Sequence, residues 1–239
     1  MASAGQVPSD KATEVRAMFS TIAPRYDALN RLLSFGIDRR WRVQAARAAL
    51  QGGARRVLDV ATGTGDLAFT LASLAPNAEV VGVDFAEPML ELARAKAGSR
   101  YARVRFEVGD GTRLAYPDDS FDAVTIAYGL RNFDDLDAGL REFLRVLRPG
   151  GRLVVLEFPP PPDGPFGRLY RWYFTRVLPA IGGLISGRAS AYRYLPASVL
   201  AFPAPDELAE RMHAAGFADV HFRLQTFGVS AIHRGEKRV

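Results

Sequence analysis

Between residues 55 and 158 the chain alternates short β-branched runs with amphipathic stretches, and that alternation leaves few folds open. RRVLDV (55–60), AEVVGVD (78–84), RVRFEV (103–108), FDAVTIAY (121–128) and GRLVVLEF (151–158) read as buried strands. Stretches 66–74, 88–97 and 135–147 space their apolar residues near 3.6 and predict helices, the last ended by Pro149-Gly150-Gly151. Strand and helix in this repeated order predict an α/β fold with a doubly wound parallel sheet. Farther along, 206–217 predicts a helix closed by Gly216, and 218–226 with 229–237 an antiparallel hairpin about Gly228. Helices are predicted over 11–22, 26–34 and 38–50. The proline run 159–162 ends the alternation, and 164–202 predicts short helices.

A chain of 239 residues, 48% hydrophobic and 24% charged, is long and apolar enough for one domain with a full core, which excludes a disordered chain. It has no cysteine, which excludes disulfides, cysteine-held zinc and thiol nucleophiles. Its three histidines lack metal-binding spacing, so no metal is expected. The longest uncharged runs are 12 residues, short of the roughly 20 that cross a bilayer, and the N-terminus lacks a secretory pattern. A cytoplasmic location is expected. The charge of +5 is unevenly spread: +6 over residues 1–56, +5 over 164–202, and −6 over the rest. Segment 164–202 holds five Arg (168, 171, 176, 188, 193), no acid and eight aromatics. That mixture suits nucleic acid or an anionic membrane surface.

The first strand runs into LDVATGTGDLA, a strand, a glycine turn and a helix start, where an open α/β sheet binds its ligand. Gly63, Gly65 and Ala68, with Asp84 nineteen residues after Gly65, also satisfy the dinucleotide fingerprint. Charge separates the two readings. Asp59 and Asp66 flank the turn and would repel a pyrophosphate, whereas S-adenosyl-L-methionine brings a cationic amine and a sulfonium that they attract. Asp110, after the third strand, is placed to meet the adenine amino group. Strand-end aspartates are also common as turn and cap residues. What favours a site is three of them, at 59, 84 and 110, converging on one sheet edge beside a glycine turn.

At this point the chain resembles class I adenosylmethionine-dependent methyltransferases, and more narrowly the ubiquinone/menaquinone C-methyltransferases of the UbiE/MenG family. The family's N-terminal signature is matched by YDALNRLLSFGIDRRW (26–41), with Leu29 for the usual Met and Asp38 for the usual His. Its second signature appears as RVLRPGGRLVVLEFP, with Arg148 for Lys and Pro159 for Ser. Gly129-Leu130-Arg131-Asn132, YxYLxxS (192–198), AGF (215–217) and AIHxG (231–235) are intact. The resemblance spans almost the whole chain. It implies a single domain over 1–239, Rossmann-like, with a seven-stranded, mostly parallel sheet and a C-terminal antiparallel hairpin. A helical N-terminal lid (1–53) and a helical insertion after the fifth strand (164–202) complete the expected architecture.

The resemblance also implies S-adenosyl-L-methionine as cosubstrate, with Thr62, Asp84 and the Asp110-Gly111 pair in contact with it. The acceptor it implies is a 2-polyprenyl-1,4-naphthoquinol or benzoquinol, methylated on a ring carbon. The Ala- and Arg-rich composition favours a bacterium of high G+C content, and hence demethylmenaquinol. A ring carbon becomes nucleophilic when its quinol oxygen loses a proton, so the site must stabilise a phenolate; Arg131 is placed to do so and Asn132 to hold a quinol oxygen. Tyr26, Asp27 and Asn30 are expected to close over the cofactor. Competing readings stay open: Asn132 as a helix cap, Arg131 paired with Asp134 or Asp135, and the proton acceptor as Asp27, a water or His233. Segment 164–202 is expected to meet an anionic membrane, with a core lid or a homodimer contact as its alternatives. A nicotinamide oxidoreductase and an RNA-binding protein remain the other function classes, though nucleic acid is not the expected partner.

Overall fold

Five parallel strands make the frame: β1 (Arg56–Val60), β2 (Glu79–Asp84), β3 (Arg105–Val108), β4 (Phe121–Ala127) and β5 (Leu147–Glu157). With β6 (Ala218–Gln225) and β7 (Ser230–Glu236) they form one sheet in the order β3-β2-β1-β4-β5-β7-β6, β7 running antiparallel to both neighbours. The computed structural model describes residues 34, 36–177 and 189–239. The expected helices at 11–22 and 26–34, and with them Tyr26, Asp27 and Asn30, lie outside the described residues.

Strand order reverses between β1 and β4, and both run in the same direction, so their carboxyl ends open a crevice at the switch point. Successive strand residues serve opposite layers, as the pleat requires. Val57, Val80, Ala123 and Val154 face α1 (Asp38–Leu50), α2 (Asp66–Leu74) and α3 (Glu87–Ala97). Leu58, Val81, Val124 and Val155 face the side of α4 (Leu136–Val146) and α7 (Pro205–Ala214). Helix α1 follows the expected span because Trp41, Ala45, Ala46 and Ala49 fall on one buried stripe. Asp38 and Arg42 extend that stripe toward the crevice and are buried with it.

The helix predicted over 206–217 ends at Ala214 and the strand predicted over 103–108 begins at Arg105; two further boundaries differ for reasons that bear on the crevice. Helix α4 ends at Val146, not at the Pro-Gly-Gly triplet, because Leu147 already pairs with Phe121 as the start of β5. The triplet falls inside that strand: pairing jumps from Phe121↔Leu147 to Ala123↔Arg152, and Gly150 takes φ 75°. The extra residues bulge out of the ladder. Strand β4 stops at Ala127, since Tyr128 has φ 58°, a left-handed conformation that turns the chain over the sheet edge. The insertion contributes α5 (Pro165–Trp172), a π-helical turn (Tyr173–Val177) and α6 (Ala189–Leu200).

Leu140 of α4 is fully buried in the lower layer. Leu140→Ala leaves a cavity there and is expected to lower stability by about 2–5 kcal/mol, read as a fall in the urea midpoint at unchanged m-value.

Candidate active site

After β1 the backbone enters the left-handed region three times, at Ala61 (φ 50°), Gly63 (φ 56°) and Gly65 (φ 85°), before α2 begins. A Cβ on Gly65 would sit 2.9 Å from the rings of Phe69 and Phe106, so no side chain fits there. The turn is fastened from below by Asp59, which is 1% exposed. Its Oδ2 accepts from Thr62 Oγ1 at 2.6 Å and its Oδ1 from Thr125 Oγ1 of β4 at 2.7 Å. Burial pushes the Asp59 carboxyl up to about 6 despite both hydroxyl donors.

Asp84, at the end of β2, accepts from Gly63 N at 2.8 Å and Ala86 N at 2.9 Å. Gly65 N donates to Thr62 O at 3.0 Å. A pyrophosphate site needs such turn amides pointing at the ligand, and here both are engaged within the protein. That geometry weighs against the dinucleotide reading. Asp66 pairs with Lys96 Nζ at 2.7 Å. Asp110 is exposed and accepts from Thr112 N and Thr112 Oγ1, each at 2.8 Å. A Cβ on Gly111 would meet Phe133 at 2.5 Å and Val60 at 2.8 Å. The structure thus brings Asp59, Thr62, Gly63, Gly65 and Asp84 together, and sets Asp110 and Gly111 after the neighbouring strand. Crowded glycines beside carboxylates, with the Gly63 and Gly65 amides already engaged, fit a nucleoside carrying positive charge, as adenosylmethionine does.

Across the switch point a Cβ on Gly129 would lie 2.5 Å from Ala61 Cβ, so the β4 turn rests directly on the β1 turn. Leu130–Asn132 then forms a single 3-10 turn. Arg131 is held by Glu157, and Asp135 lies 3.9 Å from Arg141. The Arg131 Nη1 donates to Tyr128 O at 2.5 Å and to Glu157, 2.5 Å from Oε1 and 3.1 Å from Oε2. The two side chains are 5% and 1% exposed. Asn132 does not cap α4; Asp135 does, accepting from Ala138 N at 2.8 Å. The Asn132 Oδ1 instead accepts from Tyr194 Oη of α6 at 3.0 Å.

The near end of α1 completes this wall. Ser34 Oγ donates to Asp38 Oδ1 at 2.7 Å, and Asp38 Oδ2 holds Arg42. The Arg42 guanidinium lies 5.5 Å from the centre of the Tyr128 ring, which stacks on Phe158 at 4.3 Å. Burial opposes the Arg42 charge, and the Tyr128 hydroxyl with Asp66 and Asp38 outweighs it, holding the guanidinium charged. Asp38, at the position where the family signature carries His, is therefore an arginine anchor. His233 donates its Nε2–H to Pro205 O at 2.9 Å, its Nδ1 is buried without a partner, and burial lowers the ring to about 4.

Sequence reasoning missed Glu157, Tyr194 and the Asp38–Arg42 pair. For Glu157 a signal existed, one carboxylate at the end of an apolar strand; for Tyr194 it was the YxYLxxS motif, quoted without a role.

An acid whose folded value lies above its unfolded 3.8 stabilises below that value and loses its contribution as pH rises through about 6. Wild-type stability is expected to fall by roughly 3 kcal/mol from this group between those limits. Asp59→Asn should remove the dependence, seen in urea titrations of the ligand-free protein at pH 4 and pH 7.

Comparison with known proteins agrees with this architecture. An S-adenosylmethionine-dependent methyltransferase from Thermotoga maritima superposes with TM-score 0.66 at 21% identity, covering 93% of this chain and 99% of that one. The [4+2]-cyclase SpnF gives TM-score 0.63 at 22% identity over 98% and 100%. Likeness at this level fixes the fold alone, the class I methyltransferase sheet. Closer in sequence is the demethylmenaquinone methyltransferase of Thermus thermophilus, 63% identical over 92% of this chain and all of that protein. The protein of the same name from Deinococcus radiodurans is 58% identical over 96% of this chain and 95% of its own length. A ubiquinone/menaquinone biosynthesis C-methyltransferase of Geobacter sulfurreducens is 53% identical, over 96% and 90%. The model of the ubiE/COQ5 methyltransferase family matches residues 7–237, and the chain belongs to that family.

Proposed function

We propose that the protein methylates a ring carbon of a 2-polyprenyl-1,4-naphthoquinol, converting demethylmenaquinol to menaquinol. One observation carries the reading: a buried guanidinium, Arg131, follows the carboxyl end of β4, two residues after the Gly129 that rests on the glycine turn. When bound, S-adenosylmethionine supplies an electrophilic methyl group on a sulfonium. Asp84, Thr62, Gly63 and Gly65 would hold it, with Asp59 fixing the turn beneath and Asp110 and Gly111 bordering the adenine side. Arg131 lowers the energy of the phenolate that makes the ring carbon nucleophilic. Tyr194 occupies the Asn132 oxygen and so presents the amide NH2 as the donor for a quinol oxygen. Tyr26 and Asp27 are proposed to close the site.

The acceptor dissolves in a bilayer, and we place the enzyme in the cytoplasm, docked on the membrane's inner face through α5. Arg168 and Arg171 are exposed beside Leu169 and Trp172, which are 63% and 58% exposed. Tyr170 instead stacks on buried Phe174 at 5.5 Å, anchoring the helix by its other side. No helix among the described residues is long and apolar enough to cross a membrane.

The deciding assay supplies labelled adenosylmethionine and chemically reduced demethylmenaquinone beside a polyprenyl benzoquinol. Label on the naphthoquinol ring is expected; turnover of the benzoquinol alone, or of neither, rejects the reading. In the same assay Arg131→Lys is expected to leave cofactor affinity unchanged and to lower kcat more than it raises KM, since a point charge lacks the planar fork. Asp84→Ala should weaken adenosylmethionine binding by about 1.5–3 kcal/mol in calorimetry, the loss of charge-assisted hydrogen bonds.

Vesicle sedimentation checks the docking. Binding should need anionic lipid and weaken with salt. Gln at Arg168, Arg171 and Arg176 together should remove about 1 kcal/mol per residue. Equal binding to neutral vesicles, or none to either kind, rejects it.

A further inference from the structure

Glu157 closes β5 directly after Leu153, Val154, Val155 and Leu156, all buried, and its own side chain is 1% exposed. A buried carboxylate–guanidinium pair is commonly no more stable than apolar residues of the same volume, because both charges lose their water. The local fold has its own supports. The Arg131 turn is closed by Asn132 N to Gly129 O and Phe133 N to Leu130 O, and β5 is laddered on both sides. A costly pair beside a ligand crevice, where backbone bonds already hold the chain, points to chemistry.

Among the described residues the quinol reading lacks one part, an acceptor for the hydroxyl proton; Asp27, another candidate, lies outside them. His233 holds Pro205 O through Nε2–H, and burial lowers the ring to about 4, which leaves its unpartnered Nδ1 a weak proton acceptor; Asp59 has both oxygens engaged under the turn, and Tyr194 donates its proton to Asn132. We propose that Glu157 accepts the quinol hydroxyl proton as the substrate oxygen replaces it on Arg131, an assignment that rests on the quinol reading. The substrate O–H bond breaks, its electron pair stays on oxygen facing Arg131, and the proton bonds to a Glu157 oxygen. One cation faces one anion before and after, so no new charge appears in the low-dielectric interior. Once the ring carbon carries its methyl group, its hydrogen leaves as a proton to solvent and Glu157 returns its own proton to the oxygen. The turnover releases one proton in all. Burial raises Glu157 above the usual carboxylate range, with Arg131 pulling the other way. Tyr128 and Tyr194 also face this charge, and burial holds both hydroxyls above their ordinary value.

The test counts protons without turnover. The enzyme, filled with S-adenosylhomocysteine, binds a 2-alkyl-1-naphthol, which lacks the second hydroxyl and so forms no quinone. Absorbance reports naphtholate, calorimetry in two buffers of different ionisation enthalpy reports protons released, and infrared difference spectra report a protonated carboxyl. The wild type is expected to show naphtholate, no proton released and a new carboxyl band. Glu157→Gln should form naphtholate only with about one proton released per site, and without the band. Naphtholate with proton release in the wild type, an un-ionised naphthol there, or a Glu157→Gln variant that matches the wild type overturns the proposal. The wild-type arms decide the matter even if the variant folds poorly. Should the wild type methylate demethylmenaquinol and fail the proton count, only Glu157's role falls. Should it methylate no quinol, the functional reading falls and takes this assignment with it.

Discussion

The site is held in shape by a carboxylate that solvent barely reaches. Asp59 joins Thr62 of the glycine turn to Thr125 of β4, and Thr125 is its direct register partner across the β1–β4 ladder. The switch-point crevice is therefore cross-tied at its floor, where two strands diverge into separate turns. Asp84 ties the same turn to β2 through Gly63 N. Two carboxylates and two hydroxyls thus fix a turn whose backbone visits the left-handed region three times, a conformation that isolated chains disfavour outside glycine. Strain at the site is supported by bonds immediately beneath it.

Charge is distributed around the crevice in opposed, buried pairs. Asp38–Arg42 comes from α1 and Arg131–Glu157 from the ends of β4 and β5, with Tyr128 touching both, Arg42 by its ring and Arg131 by its carbonyl. Each pair leaves its neighbourhood formally neutral, so a ligand that arrives with a charge, or develops one, reorganises an existing pair. Trp41, Phe158 and Tyr128, packed edge and face beside Arg42, make a low-dielectric surrounding in which such changes are weakly screened.

Most of the frame was legible in the sequence because local periodicity and tertiary demand agree. Strands buried on both faces read as apolar runs, and α1 and α2 carry stripes that match the layers they cover. Legibility failed where a residue's partner lies far along the chain. Leu147 reads as a helix residue until its pairing with Phe121 is known. Glu157 ends an apolar run as a solvent-facing residue would, and only the return of Arg131, 26 positions earlier, shows it buried. Tyr194 reaches Asn132 across 62 residues, through an insertion whose composition spoke of a surface and not of a site. Asp38 stood out as a departure from the family's histidine, yet its partner Arg42, one helical turn away, had no reason in sequence to be buried.

The contact between Gly129 and Ala61 has a further consequence. There is no free space between the turn that would hold the cofactor and the turn that carries Arg131, since even a methyl group on Gly129 would collide with Ala61. The two turns can drift over evolution only together. A lineage that adapts to a bulkier ring must find its new room away from this seam, in the helical insertion or around Asn132. Laboratory libraries that vary residues 61 and 129 independently should be dominated by combinations that fail together, and paired replacements will be the ones that survive.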